Sequence, residues 1–326
     1  MRRRDFLAGG IASGLAARGP AFAAADYPQQ PIRLVVPRAA GGVVDVVARL
    51  LAEQVRPQLG TVVIENQGGG GGLIAGGTVA HAAPDGYTLL AGTSTELVNS
   101  PIIAPHPPYD PLKDFAPITL TAISVGTLMV HASLPVHSLL ELVAYDKAHP
   151  GTLVYGSAGT GTTAHLCAEL FKKLAGVPDI VHVPYRGANP GLVDFYAGHL
   201  PVFAAAISPQ ALAMHRNGTV RILVAATDRK LKAAPEIPTA AEAGFPDLIA
   251  VMFMGLFAPA GTPRPVVDKI AAASRAALSD EAFAEKLIAD GFEPVTDSGP
   301  EQTAKFVREE VVRWTPVIKS IGLTLE

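Results

Sequence analysis

The sequence predicts an α/β protein built on parallel strands, and three observations carry that reading. An apolar run rich in β-branched residues, IRLVV at 32–36, meets a proline and a glycine pair, then an amphipathic stretch. The same order of strand, glycine loop and helix returns in LVYGSAGTGTTAHLCAELFKKLAG, at 153–176. Strand and helix patterns alternate through the first third of the chain, as in crossover units that lay helices on a parallel sheet.

The elements follow in order. After IRLVV, residues Val44, Val47, Ala48, Leu51, Val55 and Leu59 recur at helical spacing, and Gly60 closes that helix. TVVIEN is a second strand. The glycine run at 67–72 opens a short helix of small residues, and PDGYTLLAGTS is a turn followed by a third strand. Residues 101–137 read as apolar strands with proline-rich links. LLELVAYDKAHPG is a helix ending before Pro150. In the second glycine unit Leu166, Leu170, Phe171 and Leu174 share one helical face, Lys172 and Lys173 suit its C-terminal end, and Gly176 stops it. VRILVAATD is another strand, and LIAVMFMGLFAPAG a buried one. Near the C-terminus Thr262 reads as an N-cap with Pro263 at the first helical position, and Ser298 and Glu301 have capping-box spacing. Trp314 reads as a packing residue.

Composition narrows the function. Of 326 residues 49% are apolar and 17% charged, so a sizeable core is expected and disorder is excluded. A net charge of −3 without basic clusters argues against nucleic acid as a partner. Cys167, the single cysteine, lies in a helical pattern and reads as a small core residue.

The N-terminus, MRRRDFLAGGIASGLAARGPAFAAADYP, has a basic start, a short apolar middle and a small-residue end. It reads as a secretory signal over 1–25, cleaved after Ala23, Ala24 or Ala25. Arg3, Arg4, Phe6 and Leu7 resemble the twin-arginine export motif; an ordinary Sec signal is the alternative. Either route exports the mature protein.

Two loops carry the candidate chemistry. In PRAAGGVVD the glycines admit close approach of a ligand to the backbone, and the following helix start offers free N–H groups. Asp45 either caps those groups or meets a ligand. GSAGTGTTAH supplies N–H and hydroxyl donors at a second helix start, and its G-x-x-G-x-G spacing is neither a dinucleotide fingerprint nor a P-loop. His165 follows as a structural hydrogen-bonding residue unless a partner is found. Arg186, Asn189 and Asp194 surround a turn in YRGANPGLVDFYAGHL. No serine elbow, H-E-x-x-H or cysteine–histidine metal spacing is present. Two donor-rich helix starts suggest a clamp for a small diacid.

At these residues the sequence resembles the Bug receptors, the periplasmic substrate-binding proteins of tripartite tricarboxylate transporters. The likeness runs from YPQQPIRLVVPRAAGGVVDVVAR through VVIEN, APDGYTLL, YGSAGTGTTAHL, PYRGANPGLVD and IPTAAEAG to APAGTP, in order over nearly the whole mature chain. The resemblance implies a type II periplasmic-binding fold, with two parallel-sheet lobes joined by two crossover segments. Residues 26–125 with 251–326 would form the first lobe and 126–250 the second. By motif, ligand contacts fall on Ala40, Gly41, Gly42, Asp45 and Ser94 in the first lobe. In the second they fall on Ser157, Thr160, Gly161, Thr162, His165, Ala188 and Asp194. Arg38 stands where the family usually has an aromatic residue, and either grips an anion or points to solvent. Pro201 replaces a usual acidic residue, and Met252 and Phe253 stand where a tryptophan is usual. The implied function is capture of a small organic anion, a carboxylate, by lobe closure, for a membrane transporter. Sensing for a signalling partner is the alternative, and a hydrolase using Ser157 and His165 a third. A monomer without cofactor is expected.

Overall fold

The β-branched run Ile32–Val36 forms strand β1, buried along nearly its whole length. It leads to helix α1 (Val43–Leu59), β2 (Val62–Asn66), a 3-10 turn at Gly70–Gly72, α2 (Leu73–Ala80) and β3 (Thr88–Thr93). A π-helical turn, Thr95–Asn99, runs into α3 (Ser100–Ile103), and the long strand β4 (Phe115–His131) follows. Next come α4 (Leu139–Ala148), β5 (Val154–Ser157), α5 (Thr163–Ala175), β6 (Val181–Pro184), α6 (Ala188–Tyr196), β7 (Val202–Ala206), α7 (Pro209–Arg216) and β8 (Val220–Ala225). The chain ends with β9 (Val251–Pro259), α8 (Arg264–Leu278), α9 (Glu281–Ala289), β10 (Phe292–Pro294) and α10 (Pro300–Ser320). This computed structural model describes residues 27–323 apart from Ala39, Gly42 and Arg186. The export signal and its cleavage sites lie outside the described residues.

The sheet is mixed. β2, β1 and β3 run parallel, as the alternation predicts, and so do β6, β5 and β7. β9 is antiparallel to β3, and β4 is antiparallel to β9, β7, β8 and β10. β4 is therefore common to both halves of the sheet. Its first part pairs with β9 and β10, and its second with β7 and β8. The sequence reading of several strands across this region gives way to one. Pro117 lies at a register shift against β9, where a missing N–H is tolerated.

Three apolar clusters cover the sheet. α1 and α8 pack on the first half through Val44, Val47, Leu51, Ile270 and Leu278. α6 and α7 cover one face of the second half, around Phe195, Phe203 and Ile222. A third cluster bridges the halves, joining Leu97 and Phe257 to Leu128, Leu166 and Phe171, with Val307 and Trp314 of α10 laid across it. Cys167 is wholly buried there, and burial pushes its thiol up to about 12. Trp314 is 1% exposed, in keeping with its packing role.

Two caps differ from expectation. α8 begins after Pro263, and the Thr262 hydroxyl donates to the Pro259 carbonyl instead of capping. α10 begins after Gly299. The Ser298 hydroxyl accepts from the Leu120 N–H and pairs with Thr303, so it serves tertiary packing. No helix among the described residues is long and apolar enough to cross a membrane.

Candidate functional site

β1 stops at Pro37, and the loop into α1 is organised by Asp45. Its buried carboxylate accepts from the Gly41 N–H at 2.8 Å, Arg49 Nε at 2.9 Å and Asn66 Nδ2 at 2.9 Å. The hydrogen bond from Arg49 is the main cause that holds its pKa near 2, against the opposing effect of burial. Asn66 also donates to the Arg38 carbonyl. Asp45 thus shapes the loop from behind.

Arg38 neither points to solvent nor stands free. Its Nη1 donates to the Pro37 carbonyl at 2.7 Å and lies 2.6 Å from Glu96 Oε1. The latter contact is Coulombic, because its angles do not meet hydrogen-bond geometry. Glu96 is wholly buried, and its Oε2 accepts from the Thr93 N–H at 3.0 Å and hydroxyl at 2.6 Å. Gly72 lies against this carboxylate with φ 84°, and a Cβ there would come 2.2 Å from Oε1. Only glycine fits. The Ser100 hydroxyl donates to the Gly71 carbonyl and fixes the glycine run.

The second loop joins β5 to α5. Thr162 caps the helix: its hydroxyl accepts from the His165 N–H and donates to the Gly159 carbonyl. Gly161 N–H donates to His165 Nδ1 at 3.1 Å, which places the ring proton of the neutral imidazole on Nε2. His165 stacks on His182 at 4.1 Å, and His182 on Tyr155 at 4.8 Å. Burial, first of all, lowers both imidazoles to about 4, so they are neutral at pH 7. Ser157 Oγ sits 2.7 Å from His182 Nε2 and accepts from the Gly159 N–H. Ser157 is itself fully buried, so this pair braces the loop and offers no exposed nucleophile.

Between the two loops lies a cleft of about 340 Å³. Pro37, Arg38, the glycines at 68, 69, 71 and 72, Thr95, Ser100 and Ile103 form one wall. Thr160, Gly161 and Thr162 form the other. The volume is at the small end of ligand cavities and suits a compact molecule. Asn99 Nδ2 donates across it to the Gly161 carbonyl at 3.1 Å.

Of the residues predicted from sequence, Arg38, Thr160, Gly161 and Thr162 line this cleft. Ala40 and Gly41 are exposed in the first loop. Asp45, Ser157 and His165 stand behind the walls. Ser94 accepts from the Phe253 N–H and ties the end of β3 to β9. Ala188 opens α6, beside the second loop, and Asp194 accepts from the Tyr185 hydroxyl at 2.7 Å. Gly42 lies outside the described residues. Phe253 is wholly buried against Phe257 and Phe306 and fills the core. The sequence reading missed Thr95, Glu96, Ser100 and Ile103, which belong to no motif.

An amide- and hydroxyl-lined cleft between two α/β halves defines a solute-binding receptor. Residues 47–323 match the model of the tripartite tricarboxylate transporter family receptor. The chain belongs to that family. It is 34% identical to protein BugT of Bordetella pertussis over 304 residues, covering 92% of each chain. Among solved structures it is similar to Rpa4515 of R. palustris with adipate (TM-score 0.80, 34% identity, 92% of this chain and 99% of that one). It is also similar to MatC from Rhodopseudomonas palustris with bound malate (TM-score 0.77, 34% identity, 90% and 100%).

Proposed function

We propose that the protein is an exported receptor that captures a small carboxylate in this cleft and presents it to membrane transporter subunits. The observation that carries the reading is the cleft itself: a glycine-rich wall and Arg38 on one side face a capped helix start on the other. Backbone N–H groups at a helix start favour anions without needing many charged side chains. Malate and adipate in the two similar structures are both small diacids, which agrees with the cleft volume.

In this reading the two halves of the sheet are lobes that close on the ligand, with contacts from Arg38, the glycine run and the 160–162 loop. Asp45 and His165 hold those loops in shape. Delivery in the periplasm follows from the signal read at the N-terminus.

The test is thermal unfolding of mature, refolded protein against mono-, di- and tricarboxylates and aromatic acids. Ligand at about 100 times its dissociation constant adds roughly 2.7 kcal/mol, a rise of several degrees for a chain of this size. A rise with one chemical class is expected. No rise with any acid would remove the carboxylate reading.

A further inference from the structure

Glu96 determines what Arg38 can offer a ligand. The carboxylate is held from three sides: the N–H and hydroxyl of Thr93 bond one oxygen, and Gly72 presses on the other. Arg38 Nη1 is drawn to that second oxygen and to the Pro37 carbonyl. One end of the guanidinium is therefore fixed. Among the described residues nothing bonds to its Nε or Nη2. Those two N–H groups are a parallel donor pair that matches the two oxygens of a carboxylate. The side chain is 33% exposed and lines the cleft beside Gly72 and Thr95, facing the 160–162 loop.

We propose that Glu96 is a positioning residue that holds Arg38 with its Nε–Nη2 edge turned to the cleft, where it takes one carboxylate of a diacid. The second carboxylate goes to the N–H and hydroxyl of Thr160 on the opposite wall, because the Gly161 and Thr162 donors are already bonded to His165 and to the Gly159 carbonyl. This rests on the receptor reading above and narrows it, from carboxylates in general to diacids long enough to touch both walls. Glu96 also balances the charge of Arg38 in the empty cleft, so a single anion gains little from Coulomb attraction alone. A diacid gains from the donor geometry at both ends.

The test is calorimetric titration with adipate, malate and the monoamide of adipate. Arg38→Met is expected to weaken the better diacid by about tenfold or more, the size of a lost charge-assisted pair. The monoamide should change by less than about threefold. Arg38→Lys should not restore the diacid, because an ammonium lacks the paired donors. Glu96→Gln should weaken the diacid selectively, since a neutral amide bonded to Thr93 offers no negative charge to hold the Arg38 guanidinium. Tighter binding of every anion in Glu96→Gln would mean that Glu96 only repels, and would overturn its positioning role. Unchanged diacid affinity in both Arg38 variants would overturn the Arg38 subsite. Arg38 is partly exposed, so these variants serve even if Glu96→Gln unfolds. A wild-type protein that binds monoacids but no diacid refutes this inference and leaves the receptor reading intact. One that binds no acid refutes both.

Discussion

Asn99 and Gly161 come from opposite walls of the cleft, and the side-chain amide of one donates to the backbone carbonyl of the other at 3.1 Å. Asn99 is buried, so the bond is shielded from water. Removing the donor leaves a buried carbonyl unpaired, at a cost of about 1–3 kcal/mol. Asn99→Ala should therefore lower the unfolding free energy of the ligand-free protein by about 1–3 kcal/mol, read in denaturant unfolding. Unchanged stability would show that the bond does not hold the two walls together without ligand.

Asp45 predicts an effect on stability. With three donors on its carboxylate, Asp45→Ala should cost about 2–3 kcal/mol, seen in denaturant unfolding at pH 7. Its folded pKa is depressed, from 3.8 to about 2. The stability it contributes is thus present above pH 3.8 and lost as pH falls through 2. The gap between wild type and Asp45→Asn should narrow across that window. A gap independent of pH would mean that shape, not charge, holds the loop.

The stacked imidazoles of His165 and His182 predict acid sensitivity in a higher range. Both are depressed from 6.5 to about 4. The unfolded chain takes up these protons first, so stability should fall as pH drops from 6.5 towards 4 and then level off. Each imidazole contributes a slope of at most about 1.4 kcal/mol per pH unit. His182→Gln should flatten the profile of unfolding free energy against pH between those limits. A variant profile parallel to wild type would show that other groups cause the decline.

Gly72→Ala should be among the most damaging small substitutions in the first half. The new methyl meets the Glu96 carboxylate, and φ 84° is a conformation that alanine rarely adopts. A fall of about 2 kcal/mol or more in unfolding free energy is expected. Gly60→Ala is the comparison, with φ 66° and open space around it, and should cost less. Equal losses at the two positions would show that backbone strain alone is at work.

The strand–loop–helix units were legible because their signals are local. β-branched runs, glycines and a 3.6-residue period all lie within one short window. The ion pair between Arg38 and Glu96 has no such window. It arises because β1 and β3 are neighbours in register, Arg33 beside Thr88, so the loops leaving their ends meet. The same limit explains Thr262 and Ser298. Each has the chemistry of a cap, but a tertiary partner competes for its hydroxyl. Asp45 and His165 were legible as members of the loops, and their positions show each serving loop structure from behind the wall.

Strand β4 has a consequence for how the molecule comes apart. One continuous strand of 17 residues supplies an edge to each half of the sheet, so neither half owns a complete set of backbone partners without it. Melting either half strips hydrogen bonds from the strand on which the other depends. The two halves should thus unfold in one cooperative step, with a single calorimetric peak. Amide protons along β4 should share one free energy of exchange, equal to that of global unfolding.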